Sequence, residues 1–174
     1  MGEIDVAGVD FNADYSLRNT LGQWTPRVSL SYTQKYDTQL TPDAAVVDMT
    51  SRASTLAWSP KWRGTLALGW KNGPYSASVA GRYVGRYLDY QEWGTNTRHL
   101  GNFWLADLSA TVEIGAAMGA GNTLLGKSYA SVAVANVFNS LPDWSHYSYS
   151  SLGYDPTQYD IIGRMVQVNV GLRW

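Results

Sequence analysis

From Gly163 to Trp174 (GRMVQVNVGLRW) apolar and polar residues alternate, with Val166, Val168, Val170, Leu172 and Trp174 on one parity and Gln167, Asn169, Gly171 and Arg173 on the other. A period of two residues puts such sets on opposite faces of a strand. The same period runs through the rest of the chain. Glu3 to Arg18 sets Val9, Phe11, Ala13, Tyr15 and Leu17 against Asp10, Asn12, Asp14, Ser16 and Arg18. A second strand, about Trp24 to Tyr36, sets Trp24, Val28, Leu30 and Tyr32 against Arg27, Ser29, Ser31, Thr33 and Lys35. Pro26 suits only its beginning, because proline cannot donate to a ladder. Lys61 to Trp70 groups Trp62, Leu66, Leu68 and Trp70; Tyr75 to about Tyr90 groups Tyr75, Ala77, Val79, Tyr83 and Tyr87, with Val84 and Leu88 off the pattern on the polar side. Phe103 to Ile114 sets Trp104, Ala106, Leu108, Ala110, Val112 and Ile114 against Asp107, Ser109, Thr111 and Glu113, and Ser128 to Asn139 groups Ala130, Val132, Val134 and Phe138. The expectation is an all-β antiparallel meander of about seven strands across residues 1–174.

The connections sort by length. Residues 19–23 and 71–74 are short and carry turn chemistry, Gly22 in one and Asn72-Gly73-Pro74 in the other. Residues 116–127 are intermediate, Gly-rich, and read as a flexible turn; 37–60, 91–102 and 141–162 are long and polar. Within 37–60 the patch Ala44 to Val47 is placed to pair as an extra strand or finger. Short and long connections alternate, so they gather at opposite ends of the sheet. Transmembrane barrels are sorted this way, with short turns on the periplasmic side and long loops outside. On the apolar parity Trp24, Trp70, Tyr75 and Trp174 fall at the short-turn ends, and Tyr32, Trp62, Tyr83, Tyr87, Trp104 and Phe138 towards the long-loop ends. Trp62 and Trp70 are separated by roughly 26 Å of strand, or about 20 Å of height at a ~40° tilt, near the ~25 Å apolar band of such barrels. Aromatic rings with an N–H or O–H settle at the edges of that band, where one end is apolar and the other wet. The predicted fold is therefore a partial transmembrane β-barrel in the bacterial outer membrane, with outer-membrane lipid as a partner.

Composition agrees. Only 16% of the residues are charged, against roughly 25% in soluble domains. A net charge of -1 supplies no basic field for nucleic acid, which is dropped as a partner. The lack of cysteine rules out a disulfide frame and a thiolate metal site. No apolar run approaches the roughly 18 to 20 residues of a membrane helix, so any crossing is made by strands. Met1-Gly-Glu-Ile-Asp-Val lacks the basic and then apolar regions of a secretory signal, and the expectation is an export segment lying upstream.

The terminal strand, with Val170, Leu172 and Trp174 ending on an aromatic, resembles the C-terminal assembly signal of outer-membrane barrels, which implies the barrel-assembly machinery as a partner. Further stretches resemble the C-terminal part of a TonB-dependent outer-membrane receptor. Gly8-Val-Asp-Phe-Asn-Ala-Asp-Tyr15 is similar to that family's barrel strands before a Leu-Gly turn. Pro60-Lys-Trp-Arg63 with its strand to Trp70, and Arg82-Tyr-Val-Gly-Arg-Tyr87, are similar to its penultimate hairpins. Val134-Ala-Asn-Val-Phe-Asn139, then Gly153-Tyr-Asp-Pro156, Tyr159-Asp160 and Gly163-Arg164, resemble its last hairpin, and the likeness extends over nearly the whole chain. The resemblance implies active uptake of a scarce nutrient, a ferric siderophore first among them, through a 22-stranded barrel with a plug inside. It implies a periplasmic TonB-type energy coupler acting only through that plug. Neither plug nor coupling box is legible in these residues, so the expectation is a receptor fragment.

Candidate chemistry is sparse. The two histidines, His99 and His146, fall in long loops. Asp143, Ser145 and His146 supply the residue types of a hydrolase but no spacing that marks one, and no catalytic residue, metal site or cofactor is assigned. Trp93, Arg98, His99, Trp144, His146 and Tyr147 could stack on and hydrogen-bond a ligand at the loop end; the plainer reading is loops packing on each other. Arg82, Arg86, Asp107 and Glu113 share the polar parity and are expected to pair internally. Two other readings remain open on sequence: an eight-stranded pore or enzyme recruiting Ala44 to Thr50 as a strand, and a soluble carbohydrate-binding sandwich.

Overall fold

Each alternating segment pairs with the next one along the chain. The computed structural model describes residues 2–54, 58–90, 98–119, 124–145 and 153–172. β1 (Glu3–Asp14), β2 (Leu17–Asn19) and β3 (Gly22–Gln39) open the sheet, β2 and β3 meeting at a turn over Thr20 and Leu21. β4 (Val47–Asp48) adds to β3 at Asp37 and Thr38. β5 (Trp62–Asn72) and β6 (Tyr75–Val84) form a hairpin about Gly73 and Pro74. β7 (Tyr87–Leu88) and β8 (His99–Leu100) make a separate two-stranded ribbon. β9 (Phe103–Glu113), a helical turn α1 (Ile114–Ala117), a single 3-10 turn (Leu124–Lys127), β10 (Tyr129–Ala135) and β11 (Met165–Gly171) complete the order.

The main sheet runs β1-β3-β5-β6-β9-β10-β11, antiparallel throughout. β1, β5, β9 and β11 run from the long-loop end to the short-turn end, and β3, β6 and β10 run back. All-β antiparallel architecture and the sorting of connections are thus as the sequence indicates; the extra pairing within 37–60 is also present, but over Val47–Asp48 rather than Ala44 to Val47. The sheet is open at β1 and β11.

Register aligns the apolar sets. Trp24, Trp70, Ala77, Ala110, Val132 and Val168 stand in one row across the sheet. Leu68, Val79, Leu108, Val134 and Val166 form the next, and Phe11, Leu30, Gly64, Tyr83 and Trp104 another towards the long loops. The opposite face carries Gln23, Lys71, Ser76, Thr111, Ser131 and Asn169 in register. Aromatic pairs close the apolar face at both levels. Trp24 and Trp70 lie 6.2 Å apart at the short-turn end, and Tyr32–Trp62 at 4.6 Å and Tyr83–Trp104 at 4.3 Å lie towards the long loops. Beyond Tyr32 the register of β1 against β3 shifts by one residue between Ala7 and Gly8, a β-bulge. Past that bulge the chemistry changes: Lys35 Nζ bonds Asp5 at 2.6 Å and Asp37 at 3.3 Å.

The buried core sits elsewhere, on the polar parity at the long-loop end. Phe103, Leu105 and Val84 are covered there by Tyr87, Leu100, Ala53, Tyr159 and Trp58 from the loops. This is why Val84 breaks the strand alternation; Leu88 lies past the end of that strand, in β7, and lines the cleft between the loops and the sheet.

Several element ends differ from the sequence expectation. The first strand bends at Tyr15 and Ser16, leaving β2 separate, and the second continues to Gln39 because β1 reaches that far. The fourth ends at Val84, since Gly85 turns its N–H to the Trp62 carbonyl and the chain enters the loop cluster. The expected flexible turn over 116–127 instead begins as helix at Ile114, closed by the Met118 N–H on the Ile114 carbonyl. β10 stops at Ala135 rather than Asn139 because Asn136 (φ 50°) and Asn139 (φ 54°) are left-handed, a conformation that ends a strand and that asparagine tolerates. Gly22 (φ 120°) is required in its turn, since a Cβ there would run into the Lys71 carbonyl.

Asn136 ties three segments together. Its backbone N–H donates to Asp107 Oδ1 at 2.8 Å; its amide donates to the carbonyls of Ser140 and Ile162, and accepts from the Ser140 N–H. Asn139 Oδ1 accepts from the Arg164 N–H at 2.8 Å, pinning the entry to β11. Asn136→Ala should cost about 2–4 kcal/mol, from a buried network left unsatisfied plus a left-handed alanine. Urea unfolding of the refolded chain measures it, and a loss below about 0.5 kcal/mol would contradict this account of the turn.

Candidate functional site

Side chains with chemistry converge at the long-loop end, in two places. The first is a buried knot. Asp155 is wholly buried and accepts from the Tyr87 hydroxyl at 2.8 Å, the Thr157 N–H at 2.9 Å and the Thr157 hydroxyl at 2.6 Å. Asp-Pro-Thr supplies the local part of this: an aspartate bonding its own backbone two residues on. Asp89, also wholly buried, accepts from Ser145 Oγ at 2.5 Å and from the Tyr90 N–H at 2.8 Å. Asp143 accepts from the Gly101 N–H at 2.8 Å. Around these bonds the rings of Trp58, Tyr87, Tyr159 and Phe103 stack and tilt at 4.6–5.9 Å. Such a set locks three loops into one unit, and Asp143 and Ser145, considered for hydrolysis, both bond within it.

The second place is a cleft of about 570 Å³ beside the outermost aromatic pairs. Trp62 and Tyr83, from the apolar face, line it together with Lys61, Arg52, Arg86 and His99. Lys61 Nζ lies 5.8 Å over the Tyr32 ring, and Asn102 Oδ1 accepts from both the Tyr83 hydroxyl and the Arg86 N–H at 2.9 Å. Arg86 was expected among the polar-face residues; the chain leaves strand geometry at Gly85, and Arg86 lines the cleft instead. Arg82 and Asp107 do pair on the polar face, at 3.3 Å.

Of the residues proposed for ligand binding, Arg98 and Trp144 come together, the guanidinium 5.4 Å over the indole. His99 pairs with Leu88 in the β7–β8 ribbon and faces the cleft, apart from that stack. Trp93, His146 and Tyr147 lie outside the described residues. Of the terminal assembly residues, Val170 is in β11 and Leu172 follows it, both exposed, and Trp174 lies outside the described residues.

No family model, curated protein or solved structure matches this chain. The chemistry is thus read from the geometry itself. Among the described residues no cluster of three or more potential metal ligands is present. What sequence reasoning missed is the cationic cleft, since Arg52, Lys61 and Arg86 are scattered along the chain. It also missed the Tyr87–Asp155 bond, for which only the off-parity Val84 gave warning.

Burial holds the Tyr87 hydroxyl far above the ordinary tyrosine range, and the charge of Asp155 adds to it. Burial likewise pushes Tyr159 up, from the usual value near 10 to about 12, with the neighbouring Tyr87 opposing. Both phenols keep their protons when an unfolded chain gives its own up. Their contribution to stability is therefore complete below pH 10 and falls as pH rises from there, that of Tyr159 being lost towards about 12 and that of Tyr87 continuing to fall beyond it. Titration by ultraviolet absorbance should show a late-ionising fraction of tyrosine, with stability falling over that interval. If every tyrosine titrates together near 10 while the sheet stays intact, the buried knot is not formed.

Proposed function

We propose that this chain is wall of an outer-membrane β-barrel, and that the barrel belongs to a TonB-dependent receptor for active uptake of a scarce nutrient, a ferric siderophore foremost. The observation that carries the reading is the apolar face: continuous in register, bounded by aromatic pairs at two levels, and covered by no second layer among the described residues. Val168 and Val170 are 68% and 72% exposed. In water each such side chain forgoes about 1.5–3 kcal/mol of burial; in hydrocarbon it forgoes nothing. The Lys35 ion cluster beyond Tyr32 and the polar rows of the other face fit headgroups and a wet lumen respectively.

On this reading the long-loop end faces outward, and its knot holds the loops as a rim on which the Arg98–Trp144 stack could meet a ligand. A plug within the lumen, moved by the periplasmic coupler, would supply transport; Arg82 and Asp107 stand on the face that meets it. The eight-stranded alternative needs Ala44 to Thr50 to cross the membrane, and β4 is confined to Val47–Asp48. The soluble sandwich needs a second sheet on the apolar face, and none is present among the described residues.

Two measurements test this. Trp174→Ala should lower the amount of chain recovered in the outer membrane several-fold, with aggregate or degraded chain in its place; unchanged recovery removes the assembly-signal claim. Reading the coding sequence upstream of Met1 tests the receptor assignment: an in-frame plug and signal peptide support it, and a stop codon with unrelated sequence sinks it.

A further inference from the structure

The cleft beside Trp62 and Tyr83 has a composition that the apolar face below it lacks. Arg52, Lys61 and Arg86 line it with Asp48 as the only carboxylate in its described lining, so fixed charge there is net positive while the chain as a whole is -1. Lys61 and Arg86 are exposed and form no ion pair with a described residue. Asn102 holds the segment in place by bonding the Tyr83 hydroxyl and the Arg86 N–H. Lys61 lays its ammonium over Tyr32, at the level where the apolar rows end. A long cationic side chain there keeps its stem on apolar surface and its charge at the polar boundary. Guanidinium and ammonium groups facing one cavity suit phosphate oxygens, the first as a two-pronged donor and the second as a point charge. A volume of about 570 Å³ lies in the range of small-molecule sites and exceeds what a lone phosphate needs.

We propose that this cleft binds phosphate monoesters, presented by the phosphorylated sugar headgroup of an outer-leaflet glycolipid whose acyl chains lie along the apolar rows below. The proposal rests on the outer-membrane reading, which alone places the cleft at headgroup height. It assigns Lys61 and Arg86 as phosphate contacts, with Trp62 and Tyr83 against the sugar. Ligand held there would bridge the segment after β6 to the entry of β5, and so brace the loop rim from its lipid side.

The test uses the full chain refolded in detergent, titrated with lipid A, with enzymatically dephosphorylated lipid A, and with inorganic phosphate. Lipid A should bind, and Lys61→Ala and Arg86→Ala should each weaken it roughly tenfold, as for a lost charge-assisted bond. Dephosphorylated lipid A should bind no more tightly than to the Lys61→Ala/Arg86→Ala chain. Both residues are exposed, so the variants should keep the strand signal of the parent, and circular dichroism checks this. Equal binding of lipid A by parent and double variant overturns the site. Inorganic phosphate binding as tightly as lipid A overturns the lipid as source and leaves a free-phosphate site. Membrane assembly is scored separately on the full-length gene product in cells, by its recovery in the outer-membrane fraction: a product that assembles there yet ignores the phosphates fails this proposal alone, and one that never reaches that fraction fails the membrane reading with it.

Discussion

The hydrogen-bonded register between neighbouring strands is the constraint from which the other features descend. A slip of one residue at any strand pair would turn that strand's apolar set to the opposite face. With the register as found, Trp24 meets Trp70, Tyr32 meets Trp62 and Tyr83 meets Trp104, and the valines of β10 and β11 continue the rows that these rings bound. Backbone bonds carry the sheet; side chains decide which solvent each face can accept. The short turns contribute by leaving no slack, so that the hairpin through Gly73 sets β5 against β6 without choice.

The fold was largely legible because a period of two is a local signal that every strand repeats. Element ends were less so. Asn136 ends β10 through a left-handed conformation stabilised by carbonyls from Ser140 and Ile162, and the second of these partners is remote in sequence. Ile114 satisfies strand alternation yet turns helical: its N–H still reaches the Ser128 carbonyl, while its own carbonyl accepts from the Met118 N–H. The candidate site was legible in kind and not in membership. Aromatics and polar groups in the long loops were visible, and Arg98 with Trp144 did come together. The cationic cleft was not, since Arg52, Lys61 and Arg86 meet only after two loops fold against the end of a strand.

The chain divides its apolar residues between two tasks. Those on one face of the strands stay uncovered, and those on the other face at the long-loop end are sealed by Tyr87, Leu100 and Tyr159 with no more than 7% exposure. The sealed set is what makes the loops a single rim, and the buried carboxylates of Asp89 and Asp155 give that rim a unique arrangement, since each has partners that only one packing supplies.

The directions of the two edge strands carry a consequence of their own. β1 and β11 both run away from the long loops, whereas successive staves of an antiparallel cylinder alternate. A cylinder sealed on these edges without a parallel seam therefore takes an odd number of further crossings, the first and last of them running towards the long loops. Two copies of this sheet standing the same way up would bring like-directed edges together. Self-pairing is thus disfavoured by parity alone, and the complement that fits is a differently built sheet.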